Sequence, residues 1–390
     1  MPATEVQRGP EVSAEAVAGR PSSRLMSLDV FRGATIAGMI LVNNPGDGRT
    51  TYWPLEHAKW NGWTPTDLIF PFFLFIVGVA MAYSFASRLK RGESRRDLLR
   101  HVLWRGLILF AIGLFLNGFP NHYQLSSWRV YGVLQRIGIC YGIAGLLALW
   151  TRPRTWMIVT GGCLAGYWIL VRFVPVPGFG MPGRDLAFLD PDRNLAAWLD
   201  RKLLAGHLYD ITRDPEGIIS TIPAIATPLL GLLTGEWLRS ARTARVKLAG
   251  LFGFGFAGIA AGEIVNFWFP INKNLWTSSF VLFTAGAALI GLGVCYWVLD
   301  TKQWRGVWTK FFVVFGMNAI AAYVFAELIA HWIDRMPASD GMNWQEAVYE
   351  KMFAPLTGPY LASLLYAISY VLMCWLAMWV LYRKKIFLKI

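Results

Sequence analysis

Residues 275–299 form an apolar run without a single charged side chain, and residues 67–86 form another with one acid at its start. Each is long enough to cross a hydrocarbon core roughly 30 Å thick as one helix. The fold class this implies is all-α, a polytopic membrane protein. Composition agrees: the 390 residues are 55% hydrophobic and 16% charged, against about 25% charged in soluble domains.

Apolar length and turn signals predict about ten transmembrane helices, at 26–43, 67–86, 98–117, 130–150, 156–174, 217–238, 248–269, 275–299, 311–331 and 358–382. An even number puts both termini on one side. Residues 1–23 are rich in Ala, Glu, Pro and Ser and lack an apolar core. They read as a disordered cytoplasmic tail, not a signal peptide, which leaves 24–390 as the membrane domain. The tail and the loops at 88–100, 152–154, 239–247, 302–310 and 383–389 hold roughly twice as many Lys and Arg as the opposite loops. That bias places both termini in the cytoplasm. It accounts for the net charge of +13 without a nucleic-acid partner. The outward side then carries the longest connection, 175–216, in which Pro175, Pro177, Pro182, Pro191 and Pro215 fit either a lid or a solvated surface loop. No internal repeat is visible.

Cys140, Cys163, Cys295 and Cys374 all lie in apolar runs at spacings that match no metal motif, and neither disulfides nor a metal are expected. Polar groups inside the spans carry more information, because ionisable side chains there usually face a hydrated interior. Asp29 and Arg32 lie three apart at the start of the first span, as an ion pair at the rim or as part of a site. Asp67 opens the second span, where a carboxylate suits the helix dipole. Arg105, Arg136, Glu263 and Glu327 sit deeper and together imply a hydrated cavity. Asn43 and Asn44 end the first span, Gln135 precedes Arg136, Asn318 lies inside the ninth span, and Asn272-Lys273-Asn274 occupies a short outer turn. Gly258 and Gly262 read as helix packing. No Walker or Rossmann glycine loop is present.

On this topology His57, His122, His207 and His331 lie on the outer side. His57, in the loop between the first two spans, is the first candidate for chemistry, since a neutral imidazole takes a proton near physiological pH. On its own it reads by default as an ordinary interfacial histidine.

The ordered series Leu28-Asp29-Val30-Phe31-Arg32-Gly33, Val42-Asn43, His57-Ala58-Lys59-Trp60-Asn61-Gly62-Trp63-Thr64 and Asp67-Leu68-Ile69-Phe70-Pro71 resembles the heparan-α-glucosaminide N-acetyltransferase family of transmembrane acyltransferases. The resemblance continues through Gly132-Val133-Leu134-Gln135-Arg136, Asp214-Pro215-Glu216-Gly217, Asn272-Lys273-Asn274-Leu275-Trp276 and Gly316-Met317-Asn318, and closes at Tyr382-Arg383-Lys384-Lys385-Ile386-Phe387. It implies an enzyme that moves acetyl from cytoplasmic acetyl-CoA to the amine of a glucosamine-like sugar across the bilayer. It implies His57 as catalytic base or acetyl acceptor, Asn43 as its helper and Asp67 as a further site carboxylate. Trp60, Asn61, Asn272, Lys273 and Asn274 are then expected at the acceptor, and Arg105, Gln135 and Arg136 at the coenzyme. Family members can be dimers, so a homodimer is an open expectation.

Set against the family, the chain is expected to be a member without the extracytoplasmic N-terminal domain, and its 44–56 stretch replaces a glycine-rich run. The short N-terminus suggests a bacterial inner-membrane member acting on a cell-envelope or imported amino sugar. Direct transfer and an acetyl-histidine route both fit, with direct transfer favoured. Two other readings stay open: an O-acyltransferase of an envelope glycan, and a secondary transporter, for which the helix-interrupting Pro223 and Pro228 would be suited.

Overall fold

The computed structural model describes residues 25–338 and 341–388; the 1–23 tail expected above lies outside them. Among the described residues the secondary structure is helical throughout, with three isolated β-bridges in the connections and no strand. The α-helices are α1 (Met26–Asn43), α2 (Ile69–Lys90), α3 (Arg95–Gly118), α4 (Val133–Trp150), α5 (Pro153–Phe173), α6 (Leu195–Leu204) and α7 (Thr221–Arg239), followed by α8 (Ala244–Asn266), α9 (Ser278–Tyr296), α10 (Val307–Met317), α11 (Ala319–Arg335), α12 (Trp344–Val348) and α13 (Pro359–Arg383).

Among the described residues seven helices are long and apolar enough to cross a membrane, and a bent pair makes up to eight. The helices α1 and α7 occupy the two remaining expected spans; both carry charged residues and both pack inside the bundle. The ninth expected span departs from a straight helix. It breaks at Asn318 into α10 and α11, which meet at 79°. The Asn318 side chain explains the break: its amide donates to the Ile386 carbonyl at 3.1 Å and its oxygen accepts from the Leu388 N–H at 2.9 Å. A tail segment distant in sequence is thereby sewn into the gap.

Close helix contact depends on glycine. A Cβ on Gly78 of α2 would sit 2.0 Å from the Pro228 carbonyl oxygen, and one on Gly231 of α7 would sit 2.1 Å from that of Phe75. The two backbones touch there, and any side chain would force them apart. Gly258 and Gly262 of α8 do press against α9, as their spacing suggests. By contrast, α3, α5 and α8 expose much of their apolar surface, with Trp104, Ile158 and Phe256 pointing outward. In water such surfaces would be costly; in a bilayer they are the expected solvent face.

The connections 44–68, 119–132, 174–220, 267–277 and 336–358 all meet at the end of the bundle where α1 finishes. Hydrogen bonds join them: Gly62 N–H to the Ile271 carbonyl (2.7 Å), the Trp60 indole to Leu189 (2.8 Å) and Val130 N–H to His207 (3.3 Å). The Arg335 guanidinium donates to the Phe119 carbonyl (3.0 Å), and the Gln345 amide to that of Pro45 (3.3 Å). At the other end Ser27 N–H donates to Asp300 (3.1 Å).

Candidate active site

α1 stops at Asn43 because Asn44 precedes Pro45, and a residue before proline is driven out of helical geometry; Asn44 sits at φ −128°, ψ 58°. The chain re-enters the bundle through a short 3-10 turn, Pro65–Leu68, whose capping residue is Thr64 and whose third residue is Asp67. Between them the loop turns at Gly62, where φ is +100°, a left-handed conformation that favours glycine. Trp63 packs on Phe283 at 4.5 Å between ring centroids, and the Asn61 oxygen accepts from the Asn272 amide at 3.1 Å. These contacts pin the His57 loop to the 267–277 loop.

The consequence is a cluster of three ionisable side chains. His57 Nδ1 and Asp67 Oδ1 are 2.7 Å apart. Asp67 Oδ2 already accepts from the backbone N–H groups of Ala58 (3.1 Å) and Thr64 (3.0 Å). Donors on every side mark Asp67 as a carboxylate, so in the neutral imidazole His57 donates from Nδ1 and carries its lone pair on Nε2. Lys273 Nζ lies 3.0 and 3.1 Å from the two ring nitrogens and 3.6 Å from Asp67 Oδ1. Burial pushes the Lys273 ammonium down, and the charges of Asp67 and Glu216 only partly restore it. The Asp67 side chain is 1% exposed, whereas that of His57 is 50% exposed. The carboxylate orients, and the imidazole is reachable.

His57 opens on a cavity of about 910 Å³. The cavity runs from the loops down to Thr35 of α1, Phe73 of α2 and Ile137 of α4. Thr35 is eight residues before Asn43, which is roughly 12 Å along a helix. One face of α11 forms the far wall with Tyr323, Glu327, His331 and Asp334. There Asn43 and Glu327 face each other closely enough to interact. Two polar walls face one cavity, His57–Asp67–Lys273 on one side and Asn43–Glu327 on the other.

The long connection supplies the roof. The Arg129 guanidinium holds Asp214 through two bonds of 2.8 and 2.7 Å and Glu216 at 2.6 Å, and it stacks over the Tyr209 ring at 4.6 Å. Burial opposes the charge on Arg129, but its two carboxylate partners hold its pKa above the usual value. Arg129, Tyr209, Arg213 and Glu216 all line the cavity. Sequence reasoning singled out the Asp214–Gly217 motif but not Arg129, whose partners are 85 and 87 residues away.

Of the residues expected at the site, His57, Asn43, Lys273 and Asn274 line the cavity, and Asp67 stands directly behind His57. Trp60, Asn61 and Asn272 do not line it. They tie loops together instead: Trp60 also lies beneath the Arg213 guanidinium at 5.1 Å, and the Asn272 oxygen accepts from Leu275 N–H at 2.9 Å. Arg105, Gln135 and Arg136 are also absent from the wall. Arg105 lies over the Tyr141 ring at 5.1 Å, and the Gln135 amide donates to the Val130 carbonyl at 3.1 Å. Arg136 is fully buried, donates to the Gly217 carbonyl (3.3 Å) and Ser220 Oγ (2.5 Å), and packs over Trp276. Its Nη2 anchors the turn that leads into α7, while Nε and Nη1 make no hydrogen bond among the described residues.

Residues 24–262 match the family model described as heparan-alpha-glucosaminide N-acetyltransferase, catalytic. The chain is 32% identical to the Homo sapiens heparan-alpha-glucosaminide N-acetyltransferase, with 94% of this chain and 60% of the relative covered. It is 31% identical to the Mus musculus protein of the same name, with 95% and 61% covered. It thus spans about 60% of the length of the curated relatives it matches. With an accessible imidazole held by a buried carboxylate in the matched segment, the chain belongs to the heparan-α-glucosaminide N-acetyltransferase catalytic family.

Proposed function

We propose that this protein transfers acetyl from cytoplasmic acetyl-CoA to the amine of a glucosamine-like sugar presented at the His57 end of the bundle. The observation that carries the reading is the His57–Asp67 pair at 2.7 Å, opening on a cavity deep enough to receive two substrates. The basic-loop bias supports a reading in which that end lies outside a cell membrane and both termini lie in the cytoplasm.

Acyl transfer to an amine needs a base, a held carbonyl and a donor for the oxyanion. In the proposed mechanism Asp67 fixes the imidazole with Nε2 as the free acceptor. As the sugar nitrogen attacks the thioester carbon, Nε2 takes its proton, then returns it to the departing thiolate. Asn43 supplies the oxyanion donor. Asn43 lines the cavity and has two amide hydrogens to offer. Asn61 is less suited, because it does not line the cavity. The acyl arm enters from the deep part of the cavity near Thr35, and the coenzyme phosphates stay at the basic end.

Purified protein in detergent with labelled acetyl-CoA and glucosamine tests this. Labelled N-acetylglucosamine should form with the parent chain and not with His57→Ala. A His57→Ala protein acetylating at the parent rate removes the assignment. A transporter would bind sugar without consuming the thioester, and an O-acyltransferase would yield a base-labile ester.

A further inference from the structure

Lys273 occupies an unusual position for a residue that serves only to bind substrate. Its amine is the cavity group nearest the lone pair that must deprotonate the acceptor, 3.1 Å from His57 Nε2. Its side chain is 20% exposed and lines the cavity, so an acyl group that reached His57 would also reach it. The short turn that carries it is fixed on both sides: Asn272 N–H donates to Thr277 Oγ1 at 2.9 Å, and Trp276 N–H donates to the Lys273 carbonyl at 3.0 Å. The amine is therefore delivered to the imidazole by a rigid turn.

We propose that Lys273 is an internal acetyl acceptor, modified at Nζ when acetyl-CoA is bound and no amino sugar fills the cavity. The inference rests on the acetyl-transfer reading above and adds a modification site to it. Chemically the step copies the proposed reaction. The lone pair of the neutral Lys273 amine attacks the thioester carbonyl, a C–N bond forms and the C–S bond breaks. The amine proton passes to His57 Nε2 and then to the leaving thiolate, giving free coenzyme thiol and an acetyl-lysine amide. Burial lowers the ammonium's hold on its proton, which raises the share of attacking amine. The ion pair with Asp67 at 3.6 Å works the other way and keeps the step slow.

The product is an amide, with no route onward to a sugar. It also places an acetyl group beside His57 and removes the cation facing Asp67. The self-modified protein should therefore be inactive. An amino sugar in the cavity displaces Lys273 from Nε2 and protects it.

The test uses the full chain in detergent, incubated with isotope-labelled acetyl-CoA alone or with saturating glucosamine, followed by peptide mass spectrometry and a glucosamine-acetylation assay on the same preparation. Without sugar, label should accumulate on Lys273 over the exposed Lys202 by on the order of a hundredfold, the contribution expected of a positioned base. Sugar should suppress it, and remaining activity should fall in step with Lys273 occupancy. His57→Ala should lower Lys273 labelling to the Lys202 level; the sugar-protection arm needs no variant and covers the case where that protein misfolds. Glucosamine acetylated while Lys273 stays unlabelled would overturn this inference and leave the enzymatic reading intact. Labelling equal to that of Lys202, or undiminished by sugar, would overturn it as non-enzymatic. A parent chain that acetylates neither sugar nor lysine would overturn both.

Discussion

Replacing Asp67 by Asn separates orientation from architecture at this site. The amide is the same size as the carboxylate, and its oxygen can still accept from Ala58 and Thr64, which lie 3.1 and 3.0 Å from Oδ2. The amide NH₂ must then face His57 Nδ1, now 2.7 Å from Oδ1. Two donors cannot share that contact, so the imidazole switches to the tautomer with its proton on Nε2 and loses the lone pair that faces the cavity. A base removed in this way costs on the order of 10² to 10⁴ in kcat. Binding contacts on the Asn43–Glu327 wall are untouched, so KM for the sugar should change far less. The fold should survive, because the loop-pinning bonds from Asn61 and Gly62 do not involve Asp67. Initial rates of labelled acetyl transfer, with Tm in the same detergent, measure both effects. Asp67→Asn together with His57→Ala should be no slower than His57→Ala alone, since the pair acts as a unit. An Asp67→Asn protein keeping more than about a tenth of parent kcat would refute the tautomer argument.

Other parts of the site make separate predictions. Asn43→Ala should lower kcat by on the order of 10² while leaving Tm nearly unchanged, as removal of one oxyanion donor does; an unchanged kcat moves that role elsewhere. Arg129→Ala should destabilise the protein by about 3–5 kcal/mol, because Asp214 and Glu216 would be left buried without their cation; a denaturation midpoint equal to the parent's contradicts this. Burial, reinforced by Asp214, pushes the Asp200 carboxyl up to about 6 from an ordinary 3.8, against the opposing Ile218 N–H bond. Between those values the folded chain holds a proton that the unfolded chain has lost. Stability from this group should therefore fall as pH rises from about 4 to 6, by about 3 kcal/mol, and Asp200→Asn should abolish the fall; Tm measured against pH in both proteins decides it.

The helical layout was legible because apolar length is a local property: every expected span coincides with a helix or a broken pair. The break at Asn318 was not legible, since its cause is a tail about 70 residues further on. At the site, the 57–67 segment could be read because one loop carries both imidazole and carboxylate. Lys273 could be placed near them only through the ordered motifs, and its contact with the ring depends on the Asn61–Asn272 bond between distant loops. The buried cations were the hardest to read. A deep arginine signals a polar partner, but sequence does not say whether that partner is a ligand phosphate or, as for Arg136, a carbonyl and a hydroxyl of the same chain. The glycines at helix crossings and the Asn43–Glu327 contact likewise depend on which faces meet.

The most direct test of the central claim is a density map of the protein with a non-transferable acetyl-CoA analogue and glucosamine both bound. The account predicts the sugar nitrogen within about 3 Å of His57 Nε2, with the thioester carbonyl beside Asn43 and the nucleotide at the basic end. A map in which the acyl tip ends away from this imidazole, with the ring shut off from both ligands, contradicts it.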